Sequence, residues 1–206
     1  MLRRLGSSLR AWRQHGISRA SYFYRSQECV IVGSGLAGPP ADDRVGDIVF
    51  RLATPADLDN LDELERYGRG SRQRVFVERD HDWLFVACHG DRIVATARYG
   101  RVVRDDVISR VFQLGPGQVW APDAFCLPEY RNKGISRMLA LFANRILASL
   151  GYTDVASSVL VTNIASLRMT LHKNQPLYYV SYVRILSWER LRASKQIPQH
   201  FWDRLR

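Results

Sequence analysis

Cysteine is scarce in this sequence and odd in number. Cys29, Cys88 and Cys126 are the full complement, and no two stand in a Cys-x-x-Cys pair. Three thiols cannot complete a disulfide framework, and without a close pair a tight zinc knuckle is excluded. Each reads as a small buried hydrophobe in a reducing, cytoplasmic setting. Long apolar runs are also missing; none reaches the about 18–20 residues of a membrane-spanning helix. There are no internal repeats and no low-complexity tracts. Acidic residues are absent from residues 1–25, which hold Arg3, Arg4, Arg10, Arg13, Arg19 and Arg25. That segment therefore carries more than half of the formal charge of +10. The rest is only mildly basic, which argues against nucleic acid as a partner and suits an anionic small molecule.

What is present is enough for one ordinary domain with extensions, since 46% of 206 residues are apolar. In the first segment Leu2, Leu5, Leu9 and Trp12 recur at helical spacing among the arginines, and Gly16 is a natural stop. Such a basic amphipathic helix can lie on an anionic membrane surface, serve as a removed organelle-targeting peptide, or dock on its own domain.

Gly33, Gly35 and Gly38 then spell G-x-G-x-x-G after a β-branched run. A dinucleotide-binding turn needs its third glycine inside a helix that crosses over to a parallel strand. Here Pro39 and Pro40 follow Gly38, and the next strand begins near Ile48. Proline forces its predecessor out of helical geometry, and too few residues are left for a crossover helix. The spacing predicts a strand from Glu28 to Val32 running into a hinge-like linker, so neither flavin nor NAD is expected.

Residues 1–45 read as an extension and linker, 46–188 as the main domain, and 189–206 as a basic aromatic tail. "IVFRLAT" is a strand, and Thr54-Pro55 opens a helix with an N-cap hydroxyl and proline at its first position. Leu58, Leu61 and Leu64 mark its buried face. "DWLFVACHG" and "RIVATARYG", joined by a Gly-Asp turn, form a hairpin. A strand over 119–127, a helix over 134–150, a strand over 153–160 and a helix over 164–173 follow, and "LYYVSYVRILSW" reads as a last strand. The fold class is α/β, with a mostly antiparallel start and one βαβ unit.

The most informative text is "CLPEYRNKGISRML", residues 126–139. A strand ends, Pro128 halts it, and a tight turn enters an amphipathic helix. Arg131 and Lys133 bring two cations to the helix start, where first-turn amides have no intrahelical partner and the macrodipole is positive. Gly134 lets the backbone approach a ligand closely. These features describe a pyrophosphate cradle built mainly of main-chain N–H groups.

This stretch resembles the acetyl-coenzyme A signature of the GNAT acetyltransferase superfamily, V-x-P-x-Y-R-x-x-G-x-G/A at a strand-to-helix turn. The resemblance covers about residues 48–188. It departs at Cys126, where valine is usual, and at Ser136, where glycine or alanine is usual. It implies the GNAT fold, a mixed and mostly antiparallel twisted sheet flanked by helices, and an acyltransferase using acetyl-coenzyme A or another acyl-coenzyme A, without a metal. Phe125, Cys126 and Leu127 would line the splayed strand that pairs with the pantetheine arm. Arg131, Asn132, Lys133, Gly134, Ile135 and Ser136 would surround the pyrophosphate. Asn163 would open the next helix beside the arm, or act as a plain N-cap.

Thr170 stands where the family's tyrosine general acid would fall, and Asn174-Gln175 replace its Gly-Phe. Asp123, on the signature strand, is the candidate general base for an amine acceptor. His172 and Tyr178 are lesser candidates for the acid; His81 and His89 read as loop histidines. The region "DAFCLPEYR" is also similar to the acyl-homoserine-lactone and N-acyl-amino-acid synthase branch, so a longer acyl chain is an alternative to acetyl. A non-catalytic domain that binds coenzyme A or a protein partner is the alternative from another class.

Overall fold

The computed structural model describes residues 24–36, 42–67, 82–171, 174–186, 188–203 and 205. The basic amphipathic segment up to residue 23, Gly38 with Pro39 and Pro40, His81 and His172 lie outside the described residues. In chain order the elements are β1 (Tyr24–Gly35), β2 (Arg44–Val45), β3 (Ile48–Leu52), α1 (Leu58–Asp62), β4 (Asp82–His89), β5 (Arg92–Gly100), β6 (Gln118–Cys126), α2 (Ile135–Ser149), β7 (Asp154–Leu160), α3 (Ile164–Leu171), β8 (Gln175–Ile185), β9 (Trp188–Ser194) and α4 (Gln199–Asp203). No helix among the described residues is long and apolar enough to cross a membrane. The α/β class and the mixed, mostly antiparallel sheet expected from the sequence are what the structure has.

The chain forms two compact units. One comprises Gly33–Ser158. In it β3 pairs antiparallel with β2 and β4, and β5 pairs antiparallel with β4 and β6. Strand β7 adds to β6 in parallel. Strands β4 and β5 are buried on both faces over most of their length, which is why they read as near-continuous apolar runs. Helix α2 places Ile135, Leu139, Phe142, Ala143 and Leu147 on one buried stripe. The large side chains of that stripe contribute about 1.5–3 kcal/mol each by burial. They pack with Phe50, Phe85, Val94 and Leu127 in a single core.

The second unit comprises residues 1–32 and 159–206. Its strands run in the order β1-β8-β9. Its core joins Val30, Val32, Leu167, Tyr179 and Phe201.

Three sequence expectations are corrected. Strand β1 extends from Tyr24 to Gly35 rather than stopping at Val32. Gly33 and Gly35 are therefore strand residues and not hinge, and the backbone beyond them is tied by Leu36 N–H donating to the Thr153 carbonyl at 2.8 Å. The expected last strand is two strands. Leu186 takes a left-handed φ of 55°, the chain reverses, and β9 pairs back on β8 from Ile185↔Trp188 to Tyr179↔Ser194. The start of α1 is capped differently as well. The Thr54 hydroxyl does not cap; it and the Thr54 N–H both donate to the Asp57 carboxylate, at 3.1 and 2.8 Å. The carboxylate thus reaches back to the N-cap amide as in a capping box.

Arg51 donates to both oxygens of Asp57, at 2.7 and 2.6 Å. The Asp57 side chain is 4% exposed and that of Arg51 is 41% exposed, so this is a partly buried bidentate pair. Chiefly the Arg51 hydrogen bonds, and then the Thr54 amide, outweigh burial and hold the Asp57 carboxyl below its usual range. A depressed carboxyl stabilises the fold above its unfolded pKa, about 3.9, and that contribution disappears as pH falls through the folded value. Asp57→Asn is expected to cost about 1–3 kcal/mol at neutral pH and to flatten the acid limb of stability against pH. Urea melts of the two proteins from pH 7 to pH 3 measure both effects.

Candidate active site

The site is built around β6, which changes partners along its length. With β7 it pairs in parallel from Gln118↔Asp154 to Ala121↔Ser157, and there the pairing ends. With β5 it pairs along the strand, but Arg98 faces Asp123 while Gly100 faces Trp120. Two steps on β5 thus oppose three on β6, a bulge that contains Pro122. A bulge bends its strand, and here β6 leaves β7 at that point. Leu127 N–H donates to the Val94 carbonyl at 2.9 Å. Antiparallel ladders alternate, so the backbone groups of Phe125 and Asp123 also face β5, while those of Ala124 and Cys126 face the opened side. The Cys126 carbonyl there accepts from Arg131 Nε at 3.1 Å.

Below the opened strand the chain makes a short 3-10 turn over Pro128–Tyr130 and enters α2. Asn132 and Gly134 are left-handed, with φ of 61° and 76°. Gly134 is the N-cap of α2, and no side chain caps the first-turn amides. A Cβ built on Gly134 would meet nothing within 4 Å, so the space before the helix end is open. An uncapped helix N-terminus facing open space, flanked by exposed Arg131 and Lys133, is suited to a phosphate group. The Lys133 ammonium sits 5.1 Å from the centre of the Tyr130 ring. The Tyr130 hydroxyl and His89 Nδ1 are 2.8 Å apart, and Arg92 pairs with Glu129 at 3.1 Å. The Glu129 carboxyl is held below its ordinary range first by its own backbone N–H, with Arg92 adding to it.

The two positions that depart from the signature touch one another. The Ser136 hydroxyl hydrogen-bonds the Cys126 thiol, and burial still pushes that thiol up. Cys126 is therefore a protonated thiol at neutral pH and a weak nucleophile.

At the bulge, Asp123 Oδ2 lies 3.3 Å from Arg98 Nη2. Beside this pair is a cleft of about 330 Å³ lined by Asp82, Arg98, Gly100, Val102, Arg104, Asp105, Trp120, Pro122 and Ser158. The Asp82 side chain is fully buried and is met by Arg104 Nη2 at 3.0 Å.

Of the residues expected at the site, Arg131, Asn132, Lys133, Gly134, Cys126 and Ser136 gather at the turn. Phe125, Leu127 and Ile135 are buried in the core, so they can offer a ligand only main-chain atoms. Asn163 belongs to the other unit, where its Oδ1 accepts from the Ser166 N–H at 3.2 Å and caps α3. Tyr178 lies on β8 with the Lys195 ammonium 5.9 Å from its ring centre. His89 is not a loop residue; it ends β4 and partners Tyr130. The sequence reading missed Arg98, Arg104 and Asp82. The register of β4, β5 and β6 places Asp82 and Arg98, and the chain that leaves β5 brings Arg104 back to Asp82.

The sequence matches the model of the acetyltransferase (GNAT) family over residues 51–172. No curated protein matches the chain. Among solved structures, a Drosophila protein superposes with TM-score 0.56 at 14% identity, covering 88% of this chain and 58% of that one. An acetyltransferase of the GNAT family from Novosphingobium aromaticivorans superposes with TM-score 0.53 at 13% identity, covering 84% and 66%. An aminoglycoside N-acetyltransferase in complex with CoA gives TM-score 0.51 at 16% identity, covering 76% and 97%. At these identities the likenesses speak for the fold. With more than half of its 206 residues inside the family model, this chain belongs to the acetyltransferase (GNAT) family.

Proposed function

We propose that residues 46–188 transfer an acetyl group from acetyl-coenzyme A to an amine by direct attack, with Asp123 as general base. The observation that carries this reading is the course of β6: a strand opened at a bulge that ends on an uncapped, cation-flanked helix N-terminus. The first-turn amides of α2, with Arg131, Lys133 and the open face of Gly134, would hold the pyrophosphate. Main-chain groups of Ala124 and Cys126 would pair with the pantetheine arm, and Arg131 would exchange its bond to the Cys126 carbonyl for a phosphate oxygen. From Trp120 to Cys126 the strand rises about 20 Å, which carries the acyl end of an extended arm back to the bulge.

Coenzyme A supplies an activated thioester; the chain supplies position and proton transfer. The amine nitrogen bonds to the thioester carbonyl carbon, the C–S bond breaks, and the thiolate takes a proton from water. Asp123 accepts the proton lost by the amine and returns it to solvent. Arg98 fixes the carboxylate across the strand pair. Thr170 offers no acid for the thiolate, so that proton comes from solvent.

Two variants test the halves of this reading. Gly134→Glu puts a carboxylate before the α2 amides, in a position where its Cβ meets no protein atom. It is expected to weaken acetyl-coenzyme A by about 100-fold or more in calorimetry while costing about 1 kcal/mol of stability for the left-handed backbone. Retained affinity overturns the cradle. Asp123→Asn keeps the shape and removes the base, so kcat is expected to fall about 100-fold or more with the KM for acetyl-coenzyme A unchanged. An undiminished kcat removes Asp123 from the reaction.

A further inference from the structure

We propose that the β8–β9 hairpin docks the unit of residues 1–32 and 159–206 on an anionic bilayer surface. Its apolar tip enters the headgroup layer, and Arg190 and Arg192 meet lipid phosphates.

The tip gathers apolar side chains where water would normally face polar ones. Ile185, Leu186 and Trp188 are 47, 62 and 53% exposed, whereas turn positions ordinarily take glycine, asparagine, aspartate or serine. Leu186 also holds a left-handed φ of 55°, which glycine or asparagine would adopt at lower cost. Folding alone gives no reason for an exposed leucine there. Ile185 and Trp188 are the last cross-strand pair, so their side chains stand side by side on one face.

Alternation along β9 puts Arg190 and Arg192 on the same face as Trp188. Both are exposed, and neither has a carboxylate partner among the described residues. Glu189 lies on the other face, across from Arg184. From Trp188 to Arg192 is about 13 Å of strand, with an apolar end and a cationic end. That order matches the bilayer interface, where tryptophan and aliphatic groups sit at the acyl boundary and arginine meets anionic headgroups.

The path of the chain brings a second basic segment to this place. The Arg25 guanidinium lies 5.7 Å from the centre of the Tyr182 ring. The start of β1 is therefore beside β8, three residues before Ile185, or about 10 Å along the strand. Residues 1–23 lead into that point, and their sequence combines Arg3, Arg4, Arg10, Arg13 and Arg19 with regularly spaced leucines and no acid. One weak membrane signal binds marginally, and two on one body bind firmly.

A second copy of the chain is the rival occupant, because β9 is the last strand in its sheet. Antiparallel pairing of β9 with itself centred on Arg190 or Arg192 sets that arginine against its own copy. Centring on Leu191 sets Arg190 against Arg192 twice. Like charges directly opposite destabilise a strand pair, so this edge is blunted against its own kind.

The full chain is sedimented with vesicles of phosphatidylcholine alone and of phosphatidylcholine mixed equally with phosphatidylglycerol. Arg190→Gln/Arg192→Gln removes the cations, and Leu186→Asn/Trp188→Thr removes the apolar tip with residues suited to a left-handed turn and a strand. Wild type is expected to sediment with the mixed vesicles only, and less so as salt rises. Each double variant is expected to bind about tenfold or more weakly. No binding by wild type, or equal binding to phosphatidylcholine alone, overturns the proposal. Undiminished binding in the variants also overturns it, by assigning the contact to residues 1–23 alone. Size-exclusion chromatography runs beside these assays, and a wild-type dimer that the tip variant dissociates gives the patch to a second copy instead. Circular dichroism checks the fold of both variants; the arginine pair is wholly on the surface and decides the question should the tip variant unfold.

Discussion

The molecule turns on one strand that cannot satisfy two neighbours at once. The extra residue in β6 opposite Arg98–Gly100 rotates the strand's later half out of its ladder with β7. Ladder groups that would otherwise be spent inside the sheet are then available on one side. Proline at position 122 fits because a bulge residue needs no ladder hydrogen bond. The same irregularity brings Arg98 opposite Asp123 and shapes the cleft wall with Trp120. Opening, ion pair and cleft are three results of one inserted residue.

Around that strand the polar groups divide between fixed and open. Asp82, Asp57 and Asp123 are each met by an arginine. The first-turn amides of α2 are not capped by any side chain, and Gly134 keeps the space before them open. Against carboxylates that are each met by an arginine, the uncapped end of α2 stands out electrostatically.

The local parts of this arrangement were readable from sequence, and the long-range parts were not. The turn at 126–136 announces itself through proline, paired cations, glycine and a helical apolar stripe, all within a few residues. The hairpin β4–β5 is equally local. The false glycine motif is readable too, since Pro39-Pro40 deny it a helix, but its backbone is not: Gly33 and Gly35 are drawn into β1 by pairing that residue type does not encode. The β8–β9 reversal hides because it uses Leu186 in a left-handed conformation with no glycine or Asn-Gly to mark it. The pairs Arg98–Asp123 and Arg104–Asp82 are separated by 25 and 22 residues in sequence; the first follows from the register of β5 and β6, the second from the path of the chain after β5. Asp105 looks like an ordinary loop acid until the lining of the cleft is known.

The turn between β4 and β5 is a tight two-residue reversal at Gly90 and Asp91, a kind of surface position that normally tolerates insertion. In this chain it is bracketed by His89, which reaches Tyr130, and Arg92, which reaches Glu129. The Asp91 carbonyl also receives Asn60 at 3.1 Å. The hairpin tip therefore works as a gauge that sets the height of the 3-10 turn leading into α2. Lengthening it by one residue would pull both side chains off the turn at once, so an insertion at this exposed hairpin tip would be felt at the entry to α2.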